Sequence, residues 1–310
     1  MPILKLKPAC KDYLWGGERL RGEYRVRSDC HPLAEAWMLS CHPDGPSLIQ
    51  GGPWDGKSLP EYLAQTPAAL GSRGAAFAQF PILIKFIDAA GDLSIQVHPS
   101  DEYAFAHEGG QQGKTEAWYI LDAQPGARLY HGFQGRPSRE EVEQAVADGT
   151  LTGLLRSVEV HKGDLFFIPS GTVHAIGAGI LLAEIQQNSN LTYRLFDYGR
   201  LGADGKPRQL HVDKALAVMD RCPPRVDEDF GGHLVRCKYF TTDRLEGDFT
   251  AQCGPASFHS LLVLEGEGTL TQGGETLPIG QGDSLFLPAD SGEYTVTGSC
   301  VLLRTTAGEE

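Results

Sequence analysis

Gly163-Asp-Leu-Phe-Phe-Ile-Pro169 and Gly282-Asp-Ser-Leu-Phe-Leu-Pro288 share one frame, Gly-Asp followed by four mostly apolar residues and a Pro, repeated 119 positions apart. Each copy reads as a short buried strand bracketed by turn residues. A further strand and turn precede each one, Trp118-Tyr-Ile-Leu-Asp122 in the first and Leu262-Val-Leu-Glu-Gly266 in the second. The chain therefore contains two related β units. Glu116 to Gly163 spans 47 positions, whereas Ser260 to Gly282 spans only 22. The first copy is the longer, chiefly through a helical insertion at 137–156.

Working outward, most of the 310 residues are strand-like. The stretches 82–88 and 93–98 are short and β-branched, with Gly91 turning between them. Further candidate strands are 116–121, 164–168, 180–186, 192–198, 258–265, 268–272, 284–287 and 294–297. Helical signals are few. Ser138-Arg-Glu-Glu141 is a capping box after Pro137, Ser58-Leu-Pro-Glu61 is a second, and Val212, Ala215, Leu216 and Met219 form an apolar stripe. No alternating βαβ rhythm appears, so the fold class is all-β. Gly 38 and Pro 19 supply the many turns it needs. Pro223-Pro224 marks a boundary, giving an N-terminal domain at 1–224 and a C-terminal domain at 225–310.

Composition narrows the function. The net charge of −13 argues against nucleic acid and anionic membranes as partners. No apolar run approaches the roughly 18 residues that span a bilayer, and no leader-like segment opens the chain. Seven cysteines without a Cys-x-x-Cys pair fit reduced thiols and a cytoplasmic location.

Strand alternation then gathers chemistry. In 93–98, Gln96 and His98 share the polar face while Leu93, Ile95 and Val97 take the other. Lys114, Glu116 and Trp118 share a face of the next strand, and Pro169-Ser-Gly-Thr-Val-His174 is a tight turn presenting a His. Two imidazoles and two oxygens, from His98, His174, Glu116 and Gln96, suit zinc and equally iron, manganese or nickel. A lone strand His is more often structural. His31, His42, His107, His131 and His161 lie in loop-like or polar settings and carry no role here, and His211, His233 and His259 read as structural. In the second unit the repeat aligns Ser260 with Glu116 and Glu293 with His174, so that unit lacks the ligand set. Glu184 and Gln186 share a face, Arg194 lies on another with Thr192, and the bland reading of both is a solvated pair worth about 0–1 kcal/mol. Lys85, set in an apolar strand, requires a partner or a function.

Gln96-Val-His98-Pro, Gly113-Lys-Thr-Glu116-Ala-Trp118-Tyr, Pro169-Ser-Gly-Thr-Val-His174-Ala-Ile and Glu184-Ile-Gln-Gln-Asn-Ser-Asn-Leu-Thr-Tyr-Arg194 together resemble type I mannose-6-phosphate isomerase in its short bacterial form. The resemblance implies two cupin units, small jelly-roll β-barrels, the first with short helices inserted. It implies one Zn2+ per chain held by Gln96, His98, Glu116 and His174. An essential Arg194 and substrate-site residues Lys85, Lys114 and Glu184 come with it, as does interconversion of mannose 6-phosphate and fructose 6-phosphate. The long helical insertion of larger members is missing, so 137–156 or the loop 104–113 is expected to close the site.

In such a reaction Arg194 stays protonated and acts electrostatically. The proton-transferring base is Glu184, Lys114 or a hydroxide on the metal. Lys85, Lys114 and Arg194 are the cations available to a phosphate. The competing classes are an oxygenase or other sugar-processing cupin using His98, Glu116 and His174 alone, and a sugar-binding cupin without turnover.

Overall fold

The computed structural model describes residues 3–202 and 205–309. Strands dominate, and they pair in antiparallel ladders. The chain divides into two compact units. One comprises Met1–Lys11, Glu18–Phe86 and Asp229–Glu310, and the other Asp12–Gly17 and Ile87–Glu228.

This division differs from the linear one at 224/225. The cause is a long-range pairing: Leu4–Lys7 lies between Ser284–Leu287 and Leu48–Gln50, so the chain's first strand completes a sheet made mostly by its last eighty residues. That sheet has seven strands, and a second of four strands, Phe249–Cys253, Gly292–Gly298, Glu267–Gln272 and Glu275–Gly280, belongs to the same unit. Leu261, Val263, Leu270, Leu285, Val296 and Leu302 fill the core they share.

In the other unit, Glu116–Ala123 is flanked by Leu165–Ile168 and Ile180–Gln187. A five-stranded sheet runs in the order Tyr193–Phe196, Ile95–Val97, His174–Ile176, Arg128–Phe133, Leu155–Glu159. One face of this sheet is apolar: Ile95, Val97, Phe133, Leu155, Ala175 and Leu195 pack with Val142 and Leu216 of the helices Arg139–Ala147 and Val212–Val218. The opposite face is therefore left for polar residues.

The expected repeat is realised as equivalent ladders. Leu165–Ile168 pairs with residues 116–119, and Ser284–Leu287 with residues 259–262. Register corrects the alignment by one position. Ile168 faces Glu116 and Leu287 faces His259, so His259 rather than Ser260 matches Glu116. Glu293, matched to His174 by offset, is exposed, while its neighbour Tyr294 is buried and its Oη lies 3.0 Å from His259 Nδ1. Both capping boxes form as expected, at Ser58 and Ser138. A further helix, Asp101–His107, capped by Ser100, was not foreseen.

Candidate metal and substrate site

Register in the five-stranded sheet builds a transverse row. His174 pairs with Gln96 on one side and His131 on the other, and Gln96 pairs in turn with Arg194. The four side chains share the face opposite the apolar core, because strand alternation sends Ile95, Val97 and Ala175 to that core. Glu116 and Glu184 come from the other ladder, where Glu116 pairs with Gln186 and Glu184 with Trp118.

Two backbone devices bring these strands into contact. Pro169–Thr172 is a tight turn closed by Thr172 N–H donating to the Pro169 carbonyl at 3.1 Å, with Gly171 at φ +89°. The Gly171 N–H also donates to the His98 carbonyl at 2.9 Å, which fixes the segment carrying His174 against the strand carrying His98. At Gly113 a Cβ would lie 2.4 Å from the Ser100 carbonyl carbon, so only glycine permits the approach in which Lys114 N–H donates to the Pro99 carbonyl.

At the centre, His98, Glu116 and His174 are all buried, and one ligand atom from each lies within 4.8 Å of the others. His98 Nε2 is 3.7 Å from Glu116 Oε2, and His174 Nε2 is 3.3 Å from Glu116 Oε1. The imidazoles are oriented from behind. His98 Nδ1 donates to the Leu191 carbonyl at 2.7 Å and His174 Nδ1 to the Thr172 carbonyl at 2.8 Å. Both tautomers are thus set with the Nε2 lone pair turned towards the carboxylate. Burial, reinforced by the Lys114 charge, pushes His174 down to about 3, so it stays neutral and able to ligate. The Gln96 amide nitrogen is 3.4 Å from His174 Nε2, and turning the amide over brings its oxygen to that position. Nitrogen and carboxylate donors in this arrangement fit a divalent transition metal.

Lys114 is the counter-ion of the cluster. It contacts Glu116 Oε2 directly, lies 3.6 Å from Glu184 Oε1 and sits 3.2 Å from His98 Nε2. Trp118 Nε1 donates to the other Glu184 oxygen at 2.9 Å and its ring meets His174 edge-on. Arg194 is half-buried, donating from Nε to Ser94 Oγ at 3.2 Å and from Nη1 to the Gln209 carbonyl. Lys85 belongs to the other unit, where Glu35 lies 3.7 Å away and the Trp37 ring lies beneath its ammonium, which supplies the partner its burial demands.

Sequence reasoning missed two groups. His131, set aside as loop-like, stands in strand Arg128–Phe133, buried beside His174 in the row. Its signal was hidden by the irregularity between Tyr130 and Phe133, which breaks the alternation. Burial, then the Arg156 charge, pushes it down to about 4. The second group surrounds Asp197, which accepts from Arg200 Nη2 at 2.5 Å and Arg208 Nε at 2.6 Å. Burial alone would raise Asp197, but these two guanidinium groups hold it below the usual carboxylate range. Arg200 and Arg208 also act electrostatically on Arg194, making three arginines around one carboxylate.

A β-barrel unit with two imidazoles and a carboxylate converging at its centre defines a cupin with a candidate metal centre. The family model "Phosphomannose isomerase type I, catalytic domain" matches residues 3–120, and "Mannose-6-phosphate isomerase, cupin domain" matches 232–307. ManA of Bacillus subtilis, a mannose-6-phosphate isomerase, is 38% identical over 95% of this chain and 96% of its own. The Streptococcus mutans mannose-6-phosphate isomerase is 34% identical over 96% and 95% respectively. A crystal structure of a mannose 6-phosphate isomerase from Bacillus subtilis superposes with a TM-score of 0.90 at 36% identity, covering 98% of this chain and 99% of that one. The chain belongs to the type I phosphomannose isomerases, a family of aldose–ketose isomerases.

Proposed function

We propose that this protein interconverts mannose 6-phosphate and fructose 6-phosphate with one Zn2+ per chain, and does so in the cytoplasm, where its seven free thiols would stay reduced. The observation that carries the reading is the buried His98–Glu116–His174 convergence with Lys114 and Glu184 against it. Gln96, His98, Glu116 and His174 are the proposed ligands. Bound there, zinc would supply a Lewis acid for the sugar's carbonyl oxygen.

The chain's own residues carry the proton. Glu184, held by Trp118 through one oxygen and faced by Lys114 at the other, is the proposed base that takes the C2 proton of the open-chain aldose. The released electron pair forms the C1–C2 double bond of a cis-enediolate and the charge passes to O1. Glu184 returns its proton at C1, and the O2 proton moves to O1, leaving the ketone at C2. Arg194 cannot serve as a base; its guanidinium stabilises the enediolate charge at the end of the row. Lys114, 3.6 Å from Glu184, is the alternative base.

The phosphate of the substrate is assigned to cations of this unit. Arg194, Arg200 and Arg208 provide three guanidinium groups against the single Asp197 in a chain that is otherwise strongly acidic. Lys85 remains a proposed substrate residue, its charge shared with Glu35.

A coupled assay on mannose 6-phosphate, run alongside unphosphorylated mannose, tests the assignment. Turnover of the phosphosugar, reduced at least a hundredfold in Glu184→Gln, is expected. Folded, zinc-loaded protein that binds the sugar phosphate without converting it would show a binding cupin instead.

A further inference from the structure

A groove of about 650 Å³ opens in the unit that lacks the metal donors. Its size falls in the range of ordinary small-molecule sites. The strand Leu4–Lys7 and the segment 24–27 form its rails. In Leu4–Lys7 the even residues Leu4 and Leu6 are buried and Lys5 and Lys7 are turned outward. In residues 24–27, Tyr24 and Val26 are buried and Arg25 and Arg27 are exposed. All four cations line the groove, facing only Glu267 and Asp283 among carboxylates.

These cations are unevenly used. Lys5 pairs with Asp283 at 2.8 Å. Arg25 and Arg27 have no hydrogen-bond or ion-pair partner among the described residues, although arginines elsewhere on this surface find carboxylates, as Arg19 does with Glu23 and Arg139 with Glu143. Arg25 also holds φ at +56°, a left-handed conformation shared by only two other non-glycine residues among those described, Tyr198 and Asp290. That backbone is unfavourable for a side chain with a Cβ, and here it belongs to a residue lining the groove. A net positive groove in a chain of charge −13 runs against the surrounding field, so the positive charge is concentrated there rather than inherited.

The spacing suggests the ligand. Lys5 and Lys7, alternate residues of a strand, lie roughly 6.6 Å apart, and Arg25 and Arg27 add two guanidinium groups from the second rail. Two such rails match a small ligand with several linked anionic groups better than one with a single charge. A long polyanion such as nucleic acid would extend onto an acidic surface. We infer that this groove, built by Lys5, Lys7, Arg25 and Arg27, is a second ligand site that binds a polyphosphate-bearing small molecule, apart from the proposed isomerase site.

Titration calorimetry of the full chain with inorganic tripolyphosphate and with ATP tests this, using wild type and the double variant Arg25→Glu/Arg27→Glu. Wild type should bind, with affinity falling steeply as salt rises. The variant should lose at least tenfold in affinity while its isomerase activity and melting temperature stay at wild-type values. Tighter binding of ATP than of tripolyphosphate would identify a nucleotide, and equal binding the phosphate chain alone; both support the site. Absence of binding at low salt overturns the inference. So does binding that survives the double variant, because the ligand is then held by other cations such as Arg194, Arg200 and Arg208. Should the double variant misfold, Arg27→Gln alone, expected to weaken binding at least threefold, decides the question in the same way.

Discussion

Replacing Lys114 by Met tests whether one buried cation stands in the electrostatic position a metal would share. Its side chain is 5% exposed, and it neutralises Glu116, fully buried, and Glu184, 4% exposed. Without the ammonium, two buried carboxylates lose the positive charge that contacts both of them. Breaking a buried ion pair by removing one partner costs about 3–5 kcal/mol. At about 2 °C per kcal/mol, suited to a chain of this size, the metal-free variant should melt about 6–10 °C below wild type. A bound divalent cation restores positive charge beside the carboxylates, so added zinc should raise the variant's melting temperature more than wild type's and narrow the gap. Thermal unfolding with chelator and with excess zinc, for both proteins, is the assay. Equal stability of the two metal-free proteins, or an undiminished gap when zinc is added, would refute the reasoning.

Three further outcomes follow from the same geometry. Arg194→Lys should lower kcat/KM for mannose 6-phosphate by roughly 10²–10³, since a point charge replaces a positioned guanidinium, and steady-state kinetics would show it. Trp118→Phe removes the 2.9 Å hydrogen bond to Glu184 and should cost about tenfold or more in kcat, read in the same assay with near-wild-type metal content as the control. His259 is held by burial at about 4, below its ordinary 6.5, so its unfolded form binds a proton that the folded form refuses. Stability is therefore lost as pH falls below 6.5 and the loss is complete near 4, amounting to about 3 kcal/mol, whereas His259→Leu should not show this component when urea midpoints at pH 7 and pH 4 are compared.

What the sequence made legible is what local periodicity encodes. Gln96, His98, Glu116 and His174 could be placed together because strand alternation and a glycine turn act over a few residues, and the ladders set three of them within ligand distance of one another. Arg194 falls beside Gln96 by register, a pairing that no local pattern in the sequence reveals. What could not be read depends on distant pairing or broken alternation. Leu4–Lys7 joins Ser284–Leu287 across nearly the whole chain, and no local pattern announces that partner. His131 is obscured by the bulge beside Gly132. The match of Ser260 to Glu116 was displaced by one residue because two short apolar strands offer little to fix register until their hydrogen bonds are known. Lys85 could be recognised as needing a partner, but Glu35 lies fifty residues away in another strand.

The central claim is that a single divalent cation at Gln96, His98, Glu116 and His174 makes this chain an isomerase. Its most direct test is to titrate metal-free protein with zinc while following mannose 6-phosphate turnover and bound metal together. The account predicts no turnover without metal, a rise that ends at one equivalent per chain, and neither binding nor activity in His174→Ala. Full activity in rigorously metal-free protein, or one equivalent of zinc bound by His174→Ala with wild-type turnover, would contradict it.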